Sequence, residues 1–168
     1  GDALPLARRA AAVLSMAHIQ RQQTADALAW SHRAVDTLEP GAPPTQDSLR
    51  LRLNHATLLS MARRNDEARA LYAALWDEVK ADPERWKPES VGVLHQWAVS
   101  ERRQSRLDEA LRINALNIDF QRRWTPENRL SLALATHNQG LLLRALARFD
   151  EAEALLHQAL QVIRASDA

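Results

Sequence analysis

One short pattern recurs at a fixed interval and constrains this chain more than anything else in it. Arg64-Asn65-Asp66-Glu67-Ala68, Arg106-Leu107-Asp108-Glu109-Ala110 and Arg148-Phe149-Asp150-Glu151-Ala152 carry their alanines 42 residues apart (110−68 and 152−110). A looser copy, Gln23-Thr24-Ala25-Asp26-Ala27, lies 41 residues before the first of these (68−27). A period of this length describes stacked supersecondary units, each too small to hide its own apolar face, rather than one globular core.

Composition decides what the units are made of. With four glycines, an apolar fraction of 46% rich in alanine and leucine, and few β-branched runs, the chain reads as all-helical. A net charge of +1 argues against a general nucleic-acid or membrane-surface role, which would want a basic excess. No apolar run approaches the roughly 20 residues a membrane helix needs. The absence of cysteine removes disulfide and thiolate chemistry and fits a reducing cytosol, so a cytoplasmic location is expected. The chain opens on Gly1-Asp2 with no initiator methionine, which reads as a fragment of a longer protein.

Start and stop signals divide the sequence into eight helices. Pro5 suits a first turn, opening a helix over about 5–20, and a second follows over about 24–38. Pro40-Gly41-Ala42-Pro43-Pro44 makes a linker, and Thr45 reads as the next N-cap, opening a helix to about 63. Further helices are expected over about 66–80, 89–104 and 107–123, with Asp82-Pro83 and Lys87-Pro88 bracketing a loop. Thr125-Pro126-Glu127, a cap, a first-turn proline and a carboxylate, opens the last pair, which ends near 165. The expectation is one domain over 1–168, an all-α, right-handed α-solenoid of four antiparallel helix pairs (about 5–40, 45–82, 89–124 and 125–166) with a concave side.

The run Asn138-Gln139-Gly140 through Arg148-Phe149-Asp150-Glu151-Ala152 to Ala159-Leu160 resembles a tetratricopeptide repeat, and the 42-residue spacing is similar to the variety in kinesin light chains and many bacterial signalling proteins. In that family a small residue stands twelve before the Asp-Glu-Ala alanine, where the two helices of a pair cross closely. Gly140, Ala98, Ala56 and Ser15 fill that slot. A second alanine seven after the first is matched by Ala159 and Ala34 but not by Leu75 or Asn117. A large side chain four after is matched by Tyr72 and Leu156, whereas the third copy has Asn114.

The resemblance implies a module that binds extended peptides in a groove lined by the first helix of each pair. Carried over by register, the groove row is His137, Leu141 and Arg144 in the fourth repeat and His95, Val99 and Arg102 in the third. Leu53, Thr57 and Ser60 follow in the second, and Ala12, Met16 and Ile19 in the first. Spacing i, i+4, i+7 keeps each trio on one helix face. Beside them Asn54, Gln96 and Asn138 form an amide column suited to a peptide backbone, and Arg103 adds charge near Arg102. The two His–Arg trios point to a protein or peptide ligand with an acidic group, which an arginine fork accepts well. The competing reading makes Arg102 and Arg144 solvated residues paired with Glu101, Asp108 or Asp150.

Other residues carry less. His95 and His137 stand one repeat apart, about 10 Å, too far to share a metal without a third ligand. His18, His32, His55 and His157 read as packing or surface residues. Trp30, Trp76 and Trp97 read as packing residues, with Trp86 and Trp124 at inter-repeat loops. No phosphate loop, His-Glu-x-x-His or nucleophile elbow appears, so neither an enzyme nor a cofactor is expected. The leading expectation is a protein–protein interaction module, regulatory or scaffolding within a larger bacterial-type signalling protein, binding neither nucleic acid nor membrane. The alternative is homo-oligomerisation through the uncovered terminal helix (Leu156, Leu160, Ile163). Single-stranded RNA binding is disfavoured by the near-neutral charge.

Overall fold

A computed structural model describes residues 24–39 and 41–166. The helix expected over 5–20, with Ala12, Ser15, Met16, His18 and Ile19, lies outside the described residues. Those residues form seven helices: α1 (Thr24–Asp36), α2 (Gln46–Met61), α3 (Asn65–Val79), α4 (Lys87–Arg103), α5 (Leu107–Trp124), α6 (Arg129–Ala145) and α7 (Phe149–Ser166). There is no strand among them.

The sequence period is a burial period. The four repeat alanines, Ala27, Ala68, Ala110 and Ala152, are 0, 0, 0 and 2% exposed. Five residues before each of the last three alanines, the chain turns through the left-handed region at Arg63 (φ 61°), Ser105 (φ 60°) and Ala147 (φ 59°). In each turn the next N–H reaches back five residues: Arg64 to Leu59 O at 2.9 Å, Arg106 to Glu101 O at 3.0 Å, Arg148 to Leu143 O at 2.9 Å. This is the bonding of a Schellman helix stop. None of the three residues is glycine, so each turn bears a backbone cost of about 1 kcal/mol or more. The turn is followed by an exposed Arg–Glu clasp in two copies, Arg64–Glu67 at 2.6 Å and Arg148–Glu151 at 2.7 Å. In the third, Arg106 instead meets Glu101 at 2.8 Å and Glu109 pairs with Arg112 at 2.7 Å.

Thr45 does cap α2: its Oγ1 accepts from Ser48 N at 3.1 Å, and Ser48 Oγ accepts from Thr45 N at 2.9 Å. Two other boundaries differ from expectation. Lys87 and Pro88 are not loop residues but the first turn of α4, where a proline loses no hydrogen bond. Thr125 does not start α6; it ends α5, its N–H bonded to Gln121 O at 2.9 Å. The cap of α6 is Asn128, whose Oδ1 accepts from Ser131 N at 3.1 Å. Asparagine is a strong N-cap, and Pro126-Glu127 form the turn that separates it from α5.

The chain divides into two compact units, Gly1–Glu78 and Val79–Ala168. In the first, α1 packs on α2, with Trp30 and Leu38 against Ala34 and Leu51. Ser31 Oγ and His55 Nδ1 are 3.1 Å apart, so His55 is a packing residue, and burial together with His32 lowers its pKa. In the second unit α5 packs against both α4 and α6, and α6 against α7. The small-residue slots are filled as expected: Ala98 is buried, and a Cβ added to Gly140 would lie 2.7 Å from Leu156 Cγ.

Asn114 and Asn117, out of pattern in sequence, are both buried in the second unit and both bonded. Asn114 Nδ2 donates to Ala135 O at 2.9 Å and to Gln139 Oε1 at 2.7 Å, tying α5 to α6, while Asn117 Oδ1 accepts from Gln121 Nε2 at 3.1 Å. Trp97 is buried and donates to Glu101 Oε1 at 3.1 Å. Trp30 and Trp76 are half-buried, Trp86 is buried with the Arg85 guanidinium 4.4 Å above its ring, and Trp124 is half-buried beneath Arg123 at 5.0 Å.

Candidate functional site

The second unit holds a cleft of about 250 Å³ whose walls are α4 and α6 and whose floor is α5. From α4 come His95, Ala98, Val99 and Arg102; from α6, Asn138, Leu141 and Leu142; from α5, Asn114. Two successive first helices thus face each other across a second helix.

Five of the residues singled out from the sequence converge here: His95, Val99, Arg102, Asn138 and Leu141. On α4, His95, Val99 and Arg102, about one turn apart in succession, all line the cleft. Gln96 and Arg103, each about 100° further round the helix, do not line the cleft. On α6 the cleft-lining face is turned by one residue from the expected row. Asn138 faces the cleft where His137 was expected, and Arg144 is an exposed residue outside it. Asn54 and Thr57 belong to the first unit. Both are half-buried, and the Thr57 hydroxyl donates to Leu53 O at 3.0 Å and lies 3.2 Å from Tyr72 Oη.

The charges of the cleft are distinctive. Among the described residues the Arg102 side chain makes no ion pair and no hydrogen bond, and the same holds for the side chains of Arg103 and Arg144. Glu101, one of the partners considered for Arg102, is fully buried and held instead by Trp97 and Arg106. Burial holds the His95 imidazole below the ordinary histidine range, so near neutral pH it is an uncharged donor–acceptor. The cleft therefore combines one uncompensated guanidinium, two amides, a neutral imidazole and an aliphatic patch of Val99, Leu141 and Leu142.

Sequence reading missed Asn114 and Leu142, and placed Ala98 only in the helix crossing. A signal for Asn114 existed: an amide in a slot that other copies fill with Tyr72 and Leu156 needs a polar reason to be there. Among the described residues no group of three His, Asp or Glu side chains stands close enough to hold a metal ion, and no helix is long and apolar enough to cross a membrane.

No protein-family model and no curated protein matches the chain. Solved structures do. BtubC (BKLC) from P. vanneervenii superposes over 100% of this chain and 67% of its own, with a TM-score of 0.85 at 15% identity. The nearly identical TPR-like repeats of a Podosopora anserina putative kinesin light chain cover 95% of this chain and 76% of theirs, with a TM-score of 0.76 at 18% identity. Bacillus thuringiensis PlcR, solved in complex with the peptide PapR7 and DNA, covers 90% of this chain and 54% of its own, with a TM-score of 0.67 at 15% identity. The fold is that of the tetratricopeptide-like helical repeats.

Proposed function

We propose that the chain is a protein–protein interaction module whose α4–α6 cleft takes an extended peptide or partner segment, with an acidic group of that segment seated on Arg102. The observation that carries this reading is convergence: residues chosen by repeat register on two helices line one cleft, and its guanidinium has no partner among the described residues. PlcR, which superposes on 90% of this chain, was solved in complex with a peptide, and this supports the reading. In this reading the array works inside a larger signalling protein, as a regulatory or scaffolding part.

The test is titration of the isotope-labelled protein with a pool of short glutamate-centred peptides, followed by amide shifts. Shifts confined to α4, α5 and α6 around the cleft support the proposal, and Arg102→Ala should weaken binding about ten- to a hundredfold with unchanged helicity. Equal affinity of the Arg102→Ala protein, or shifts elsewhere, would refute it.

Self-association through α7 is the second reading. It is favoured by Leu160, 40% exposed on that helix, whereas Leu156 and Ile163 are partly buried. A molecular mass by light scattering that stays monomeric with concentration would remove it.

A further inference from the structure

The floor of the cleft is polar, and its amide has one atom that the helix packing does not use. Two other copies of its slot hold Tyr72 and Leu156, yet here stands Asn114, 1% exposed and lining the cleft. Both hydrogens of its Nδ2 are engaged on the α6 side, by Ala135 O at 2.9 Å and Gln139 Oε1 at 2.7 Å. A main-chain carbonyl only accepts, so the Ala135 bond fixes which end of the amide is nitrogen and which is oxygen. The two bonds together lock the amide plane. Oδ1 makes no hydrogen bond among the described residues.

A carboxamide oxygen accepts and cannot donate. An anion placed on this floor would meet an acceptor, not a donor, and would leave both unsatisfied. The cleft is therefore polarised: an acceptor at the floor on α5 and a cation at Arg102 on α4.

We propose that Asn114 is a specificity-determining residue of the cleft: its Oδ1 accepts a main-chain N–H from an extended, acidic peptide segment whose carboxylate sits on Arg102. The inference rests on the peptide-cleft reading above and adds the register of the occupant. The acid group lies at the wall and a free main-chain N–H lies at the floor, so a segment with proline at the floor position is rejected. Main-chain N–H groups recur at every non-proline residue of a strand. A side-chain donor on the peptide would satisfy the oxygen as well, and the experiment separates the two.

The probe is the tightest binder from a pool of acetylated, amidated glutamate-centred peptides, resynthesised with each amide replaced in turn by an ester. An ester keeps the shape of the strand and deletes one N–H. In the native protein one replacement, and only one, should weaken binding about tenfold. In Asn114→Leu, which takes the residue type of the corresponding Leu156 slot, the same replacement should be neutral. As a check independent of that variant, the Asn114 side-chain amide resonance of the native protein should shift with the parent peptide and not with the sensitive ester. A flat ester scan with cleft-localised binding overturns the role of Asn114 while the peptide-cleft reading stands. Loss confined to a side-chain donor does the same. Absence of any binding at the cleft overturns both.

Discussion

Gly140 sits where α6 crosses α7, and the crossing distance makes a quantitative prediction. A Cβ built there would lie 2.7 Å from Leu156 Cγ, 2.9 Å from Leu156 Cδ2 and 3.2 Å from Ala152 O. Carbon atoms in contact prefer about 3.5–4.0 Å, so Gly140→Ala forces Leu156 or the whole of α7 to give way by nearly an ångström. Alanine in place of glycine within a helix is worth about 1 kcal/mol in its favour, while overpacking of this kind costs about 1–3 kcal/mol. The net expectation is destabilisation of about 1 kcal/mol in the native background. Leu156→Ala alone should cost about 1–3 kcal/mol, less than a fully buried leucine because Leu156 is partly exposed. In that background the two closest contacts are gone and only Ala152 O remains near, at 3.2 Å, so Gly140→Ala should become stabilising by up to about 1 kcal/mol. The cycle therefore predicts a coupling of up to about 2 kcal/mol with the sign of the alanine substitution reversed. Urea unfolding followed by both circular dichroism and tryptophan fluorescence measures it. Repeat arrays can lose cooperativity, so coincidence of the two probes is part of the assay. Additivity of the two substitutions within about 0.5 kcal/mol would refute the close-crossing account.

The three left-handed turns predict a stabilising change: Ala147→Gly, at an exposed site with φ 59°, should raise stability by about 0.5–1 kcal/mol, read as a higher urea midpoint. Arg106→Ala removes the cation paired with the fully buried Glu101 carboxylate and should cost about 3 kcal/mol. Arg148→Ala breaks only an exposed clasp and should hardly move the melting temperature. His95 and His55 are both held below the ordinary histidine range, each chiefly by burial. Below the unfolded value of about 6.5 the unfolded chain therefore binds more protons than the folded one. Stability should fall as pH drops from about 6.5 toward the folded values and level off beneath them. Replacing both by glutamine should flatten that slope, and an unchanged slope between neutral and mildly acidic melts would count against it.

The fold was legible because its repeat is written in residues that burial itself selects. Alanines such as Ala68, Ala110 and Ala152, and the small residues Ala98 and Gly140, are dictated by helix-to-helix distance, which one residue reports by its size alone. The cleft was legible only where one helix decides it. On α4 a trio at i, i+4, i+7 names the face, and His95, Val99 and Arg102 stand there together. On α6 the rotation about the helix axis is set by neighbours, and a shift of one residue exchanges His137 for Asn138 and leaves Arg144 outside. Helix starts failed for a related reason: Thr125 and Asn128 both offer capping oxygens, and which one begins α6 depends on how the preceding helix ends, at the Thr125 N–H bond to Gln121 O. Asn114 was the least legible of all, since its meaning lies in partners on another helix, Ala135 and Gln139. A buried amide costs stability unless it is bonded, so its presence in sequence announces that partners exist without naming them. Asn114 is accordingly where this chain departs from its own repeat, whereas Arg102 keeps the repeat register of Arg144. Arg102 without a counter-charge and Asn114 with a single acceptor left over both stand in one cleft.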